Sequence, residues 1–134
     1  MKKILFIISA IIAVSLSFSC KKDEPVKQTT YTVTMAMPSV TSTSTVHYDL
    51  TAYEYNEAGE KVANNAIEMA TNGSSKKFTA SSRSVKVKLY IKMYSDYTTV
   101  SPQYLWVQQV FYLEQGGNIE IKVEEQTKVG KSEP

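Results

Sequence analysis

Three groups of side chains in this sequence have the types and spacing to do chemistry. Cys20 is the single cysteine of the 134-residue chain. Without a partner it cannot close an internal disulfide, and it sits where an apolar leader ends, placed to become a new N-terminal residue. His47 is the single histidine, so imidazole general-base chemistry would have to use it. Asp49, two residues on, lies on the same strand face as a hydrogen-bond partner. No serine nucleophile motif or glycine-rich phosphate loop accompanies the pair, so the chain reads as a non-enzyme. Asp23-Glu24 and Glu124-Glu125 are adjacent carboxylates without a third ligand at recognisable spacing, which argues solvated charge and against a metal site. No cofactor motif is present. The third group is aromatic: Tyr90, Tyr94, Tyr104 and Trp106, with Lys92 and Gln108 between them. Ring faces flanked by hydrogen-bonding groups suit a sugar ring or a protein partner. The same residues also suit plain cross-strand packing, which stabilises a sheet without binding anything.

The segments that must position those rings run from Val85 to Val123. In Val85 to Tyr94 aliphatic residues or Met alternate strictly with Lys or Tyr, the period-two pattern of a half-buried strand. A connection from Ser95 to Gln103 leads to Tyr104–Leu113, then the Gly116-Gly117 turn, then Ile119–Val123 with its isoleucines and valine inward. The spacing predicts two consecutive hairpins. Tyr104–Leu113 is apolar on both faces, and a one-residue slip would exchange them. A two-residue Gly116-Gly117 loop would place Val110, Tyr112 and Trp106 in the core. A three-residue Gly116-Gly117-Asn118 loop would bury Leu105, Val107, Phe111 and Leu113 and turn Tyr104, Trp106 and Tyr112 outward. The second set holds more aliphatic volume, while Tyr and Trp tolerate a wet face, so it is the expectation. Tyr94 should then lie near Tyr104, and Lys92 near Trp106.

The rest of the folded region is also strand-like. Tyr31–Met37 alternates and is stopped by Pro38. Ser39–Thr45 is a Ser/Thr-rich loop. Val46–Tyr55 carries Val46, Tyr48, Leu50 and Ala52 on one face and His47, Asp49, Thr51, Tyr53 and Tyr55 on the other, and competition between the faces predicts a bulge. Asn56–Gly59 forms a turn, Lys61–Ala63 is a weak strand, and Ala66–Ala70 reads as a strand or a helical turn. Thr71–Ser75 is a strong turn before Lys77–Ala80. About seven short antiparallel strands, with no amphipathic stretch of helical length, predict an all-β sandwich over residues 30–126. Tyr53 to Ala80, turning at Asn56–Val62, resembles the first half of a transthyretin-like or immunoglobulin-like domain, without the Cys and Trp spacing of antibody domains. Residues 127–134 read as a disordered tail.

The N-terminus carries the most specific signal. Lys2-Lys3, an apolar run from Ile4 to Leu16, and Ser17-Phe18-Ser19-Cys20 have the layout of a secretory signal peptide over residues 1–19. The run is too short to span a membrane comfortably, which takes about 20 apolar residues. Leu16–Cys20 resembles the lipobox of bacterial lipoproteins, with Phe18 where many Gram-negative members carry a small residue. Cys20-Lys21-Lys22-Asp23-Glu24-Pro25 resembles the export signal of Bacteroidota surface lipoproteins. The resemblance implies acylation of the Cys20 thiol, cleavage just before it, and an outer-membrane, cell-surface address; two or more acyl chains anchor stably where one does not. Residues 20–29 then form a lipidated tether, charged and containing Pro25, with little to bury. With Lys2 and Lys3 removed, the remaining basic side chains balance the 13 acidic ones. That balance argues against nucleic-acid binding, which needs a basic footprint. Two functions fit. One is a non-catalytic binding or adhesion module for a glycan or protein ligand. The alternative is a structural or inhibitory envelope protein that docks on another protein through a sheet edge.

Overall fold

The computed structural model describes residues 25–37, 46–70, 72–97 and 99–134. The leader, Cys20, the first part of the tether and the Ser39–Thr45 loop lie outside the described residues. Among the described residues nine strands follow in order: β1 (Thr30–Ala36), β2 (Val46–Tyr55), β3 (Lys61–Ala70), β4 (Ser75–Thr79), β5 (Lys86–Ser95), β6 (Gln103–Val107), β7 (Phe111–Tyr112), β8 (Asn118–Glu124) and β9 (Val129–Gly130). No helix occurs among the described residues. The strands form two sheets, one ordered β4-β1-β8 and a larger one ordered β3-β2-β5-β6-β9 with β7 also paired to β5. The chain is a β-sandwich, with two more strands than expected because β7 and β9 are only two residues long.

Alternation builds the core. β1 contributes Tyr31, Val33 and Met35, and β8 contributes Ile121 and Val123. Across the sandwich stand Tyr48, Leu50 and Ala52 of β2, Val87, Leu89 and Ile91 of β5, and Val107 of β6. Burying each large apolar side chain contributes about 1.5–3 kcal/mol. The stretch read as a strand or a helical turn, Ala66–Ala70, is the end of the ten-residue strand β3. The bulge expected within Val46–Tyr55 is not in that strand: the β2–β3 ladder has register shifts between Tyr48 and Leu50 and between Glu54 and Tyr55. Its extra residues are on β3, because β2 must keep an unbroken register with β5 on its other side.

Three further expectations need correction. The second hairpin does not form: β7 remains on β5, and the chain crosses through a turn closed by Gly117 N–H donating to Glu114 O at 2.8 Å, so that β8 pairs with β1 in parallel. Gly116 in that turn has φ of +70°, a left-handed conformation that suits glycine. The choice between loop lengths therefore does not arise. Val107 and Leu113 are nevertheless buried, with Leu105 and Phe111 half-buried. From the Tyr90–Trp106 pair to the Val87–Phe111 pair, β5 advances three residues while its partner chain advances five. The excess is even, so both segments keep the same side chains inward. The second correction is register: Lys92 opposes Tyr104 and Tyr90 opposes Trp106, a shift of two residues from the expected pairs. The third is the tail. Residues 127–134, expected to be disordered, supply β9, which pairs Gly130 with Trp106 and Val129 with Val107.

A buried polar cluster ties the two sheets together. Glu54 is fully buried on the inner face of β2. Its Oε1 accepts from Tyr31 Oη at 2.9 Å and Asn65 Nδ2 at 2.8 Å, and its Oε2 accepts from Ser81 N at 2.8 Å and Ser84 Oγ at 2.5 Å. The turn in which Ser84 N–H donates to Ser81 O at 2.9 Å brings the last two donors to one point. Asn65 also donates to Tyr31 Oη at 2.8 Å. Burial foremost, with the Glu54 charge and hydrogen bond adding to it, pushes the Tyr31 phenol well above its ordinary range, against an opposing hydrogen bond from Asn65. Every buried side-chain nitrogen and oxygen among the described residues has a hydrogen-bond partner, which is what a low-dielectric interior demands.

Candidate functional site

The outer face of the larger sheet collects the aromatic residues. Because β2, β5 and β6 are neighbours in that sheet, outward positions form rows across it: Thr51, Tyr90 and Trp106 in one, Asp49, Lys92 and Tyr104 in the next, His47 and Tyr94 beyond. Ring centroids lie 5.5 Å apart for Tyr53 and Trp106, 4.8 Å for Trp106 and Tyr90, and 6.2 Å for Tyr90 and Tyr104. Tyr53 and Tyr90 are 6.4 Å apart. These separations fall in the range of favourable aromatic contact. The four rings make one continuous strip, at whose outer end Tyr104 is 50% exposed. Trp106 is half-buried, leaning on Tyr90 and Tyr53 instead of entering the core.

Beside the strip runs a trough of about 460 Å³ lined by Asp49, Thr51, Tyr53, Glu68, Lys92 and Tyr104, among others. Lys92 Nζ sits 3.8 Å from Asp49 Oδ2 and 4.9 Å from the Tyr94 ring centroid. Tyr94 stacks on His47 at 5.3 Å, and its hydroxyl donates to Asp49 Oδ1 at 3.4 Å. Burial, with the Asp49 carboxylate adding to it, pushes the Tyr94 phenol up. His47 Nε2 lies 2.7 Å from Asp96 Oδ1, so the strand pins the connection that follows β5. Tyr94 also lines a second groove of about 400 Å³ with Val46, Met93, Tyr97 and Val100.

Of the six residues predicted for a ligand face, Tyr90, Lys92, Tyr104 and Trp106 come together on the strip. Tyr94 shares the face but stacks on His47, away from the expected contact with Tyr104. Gln108 is engaged by the tail, its Nε2 donating to Ser132 O at 2.8 Å. His47 has Asp96 as its close partner instead of Asp49.

Two contributors were missed by sequence reasoning. Tyr53 joins the strip because β2 lies beside β5; its outward position was legible, its neighbour was not. The second is a clamp at the foot of the strip. Glu133 Oε1 accepts from Tyr55 Oη at 2.7 Å and from Lys88 Nζ at 2.9 Å. The Lys88 ammonium lies 4.7 Å from the Tyr55 ring centroid, and Lys61 Nζ lies 3.7 Å from that of Tyr53. The hydrogen bond from Lys88, then that from Tyr55, holds the Glu133 carboxyl below its ordinary value. Burial foremost, then the Glu133 hydrogen bond and charge, pushes the Tyr55 phenol well up.

Among the described residues no group of three or more His, Cys, Asp or Glu is placed to hold a metal ion. The side chains gathered on this face can stack, hydrogen-bond and form ion pairs. In comparisons with known proteins, no family model, curated protein or solved structure matches the chain.

Proposed function

We propose that this chain is a lipid-anchored outer-membrane module of the Bacteroidota type that binds a sugar ligand, without catalysis, on the outer face of its larger sheet. The observation that carries the reading is the continuous strip Tyr53–Trp106–Tyr90–Tyr104 beside a polar-edged trough. A pyranose ring presents apolar C–H groups on its faces and hydroxyls around its rim. Aromatic faces accept the former, and Asp49, Lys92 and Glu68 can hydrogen-bond the latter. The tether that starts at Cys20 would hold this face away from the bilayer, where an extended polymer can reach it.

The test is glycan binding by the wild-type chain and by Trp106→Ala and Tyr104→Ala. Loss of at least about tenfold in affinity for each variant is expected, because aromatic anchors dominate such interfaces. Equal binding by all three, or none by any, sinks the proposal. For the anchor, Cys20→Ser should move the protein from the membrane fraction to the soluble one, and protease added to intact cells should digest the wild type.

One observation favours a second reading, a structural or inhibitory protein that docks through a sheet edge. β3 is ten residues long and ends the strand order of the larger sheet, with β2 its one pairing partner among the described residues. Such an edge can template an added strand. Capture of a protein partner that survives Trp106→Ala would select this reading over the first.

A further inference from the structure

The Glu133 clamp resembles a ligand site more than a fastening. We propose that the Tyr55–Lys88 seat is a binding site for the carboxylate of an acidic sugar, a uronate unit, and that Glu133 fills it in cis as an internal competitor. The inference rests on the sugar-binding reading of the adjacent strip and narrows the ligand to a chemical class.

The seat is built into the sheet. Tyr55 is only 4% exposed, and the Lys88 side chain 13%. Their two donors converge on one carboxylate oxygen at 2.7 and 2.9 Å, the short geometry of charge-assisted bonds. Lys61 adds positive potential to the same carboxylate. The occupant, by contrast, is held at the solvent boundary, with the Glu133 side chain 39% exposed. Apart from Glu133 itself, the two-residue β9 and the Gln108 contacts tie its segment to the sheet among the described residues. Glu133 is the exposed member of the pair, so an external carboxylate can reach the seat as its segment lifts away.

The seat also adjoins the strip. Tyr53 and Tyr55 are alternate residues of β2, separated by about 7 Å along the strand. Tyr53 in turn contacts Trp106, centroid to centroid at 5.5 Å. A sugar ring stacked over Tyr53 and Trp106 would carry a carboxylate on its rim toward Tyr55 and Lys88. A neutral sugar would stack without reaching the seat. An acidic peptide would reach the seat but has no flat face for the strip.

The test measures affinities of the purified full-length chain for a galacturonate hexamer, a neutral galactose hexamer and a hexaglutamate peptide. The wild type should prefer the galacturonate hexamer to the neutral one. Glu133→Gln should tighten galacturonate binding by about three- to tenfold, as removal of an internal competitor predicts, and leave neutral binding unchanged. Lys88→Met, which keeps the apolar stem, should abolish the preference and leave neutral binding intact. Equal affinity for the two sugars in all three proteins overturns the seat, while sensitivity of neutral binding to Trp106→Ala would still uphold the strip. Loss of all sugar binding overturns both. A gain for hexaglutamate in Glu133→Gln equal to that for galacturonate overturns the sugar assignment.

Discussion

Replacing Glu54 by Ala tests how much of this fold depends on one buried carboxylate. In the wild type four donors reach it: Tyr31 Oη, Asn65 Nδ2, Ser81 N and Ser84 Oγ. After truncation Tyr31 and Asn65 retain each other through the 2.8 Å bond between them. Ser81 N–H and the Ser84 hydroxyl have no such alternative, and Ser84 is fully buried. Each stranded donor costs about 1–3 kcal/mol, for about 2–6 kcal/mol together. Against this, the variant no longer keeps a charge out of water, which offsets part of the loss. A net destabilisation of about 3 kcal/mol is expected. In urea, with a slope of about 1–3 kcal/mol/M for a domain of this size, the midpoint should fall by about 2 M. Trp106 fluorescence and far-ultraviolet circular dichroism should report one coincident transition. Tyr31→Phe alone should cost about 1–2 kcal/mol and less in the Glu54→Ala background, where only its bond from Asn65 is left to lose. A Glu54→Ala loss below about 1 kcal/mol, or full additivity of the two substitutions, would refute the idea that this cluster pins the sheets.

Other expectations follow from burial and charge. Glu133 has its folded-state pKa lowered by Lys88 and Tyr55, so its contribution is present above the ordinary carboxylate value and vanishes as pH falls through the folded one. The exchange protection of the Gln108 amide, which donates to Lys128 O at 2.8 Å, should therefore fall in acid, and Glu133→Gln should show low protection at all pH. Tyr31 has its folded pKa raised, so its contribution is complete below about pH 10 and is lost as pH climbs toward the folded value. The urea midpoint should drop in strong alkali, less steeply in Tyr31→Phe. Leu89 is fully buried, and Leu89→Ala should cost about 2–5 kcal/mol in the same denaturation. Tyr112, 70% exposed, should tolerate Ala within about 0.5 kcal/mol.

The strands themselves were legible because alternation is local. Lys86–Met93 announces its two faces in its own residues, and the observed burial follows them. Partner choice was not legible. Ile119, Ile121 and Val123 suit any sheet with an apolar face, and Gly116-Gly117 marks only a change of direction; Tyr31, Val33 and Met35, which β8 meets in register, belong to the far end of the domain. The outward set of Tyr104, Trp106 and Tyr112 was foreseen through a hairpin that does not exist, and it survives because the irregularity around Gln109 adds an even number of residues. The Glu54 cluster was not legible, since its donors lie 11 to 30 residues away and no local pattern forecasts them. The tail was misjudged for a similar reason. Lys128 to Pro134 has little apolar content, and its order comes from the backbone of β6 and from the Glu133 contacts.

The parallel pairing of β1 with β8 sets a timetable for the molecule. Thr30 and Asn118, bonded side chain to side chain, are 88 residues apart, whereas β2 with β3 and β5 with β6 close over a few turns of chain. Local pairings can form early, but the smaller sheet cannot be completed until nearly the whole chain is available, since long loops close late and slowly. During synthesis β1 emerges well before β8. For that interval Tyr31, Val33 and Met35 belong to a strand whose main partner has not arrived, and this is the period in which the protein is most open to capture by a chaperone or by another copy of itself.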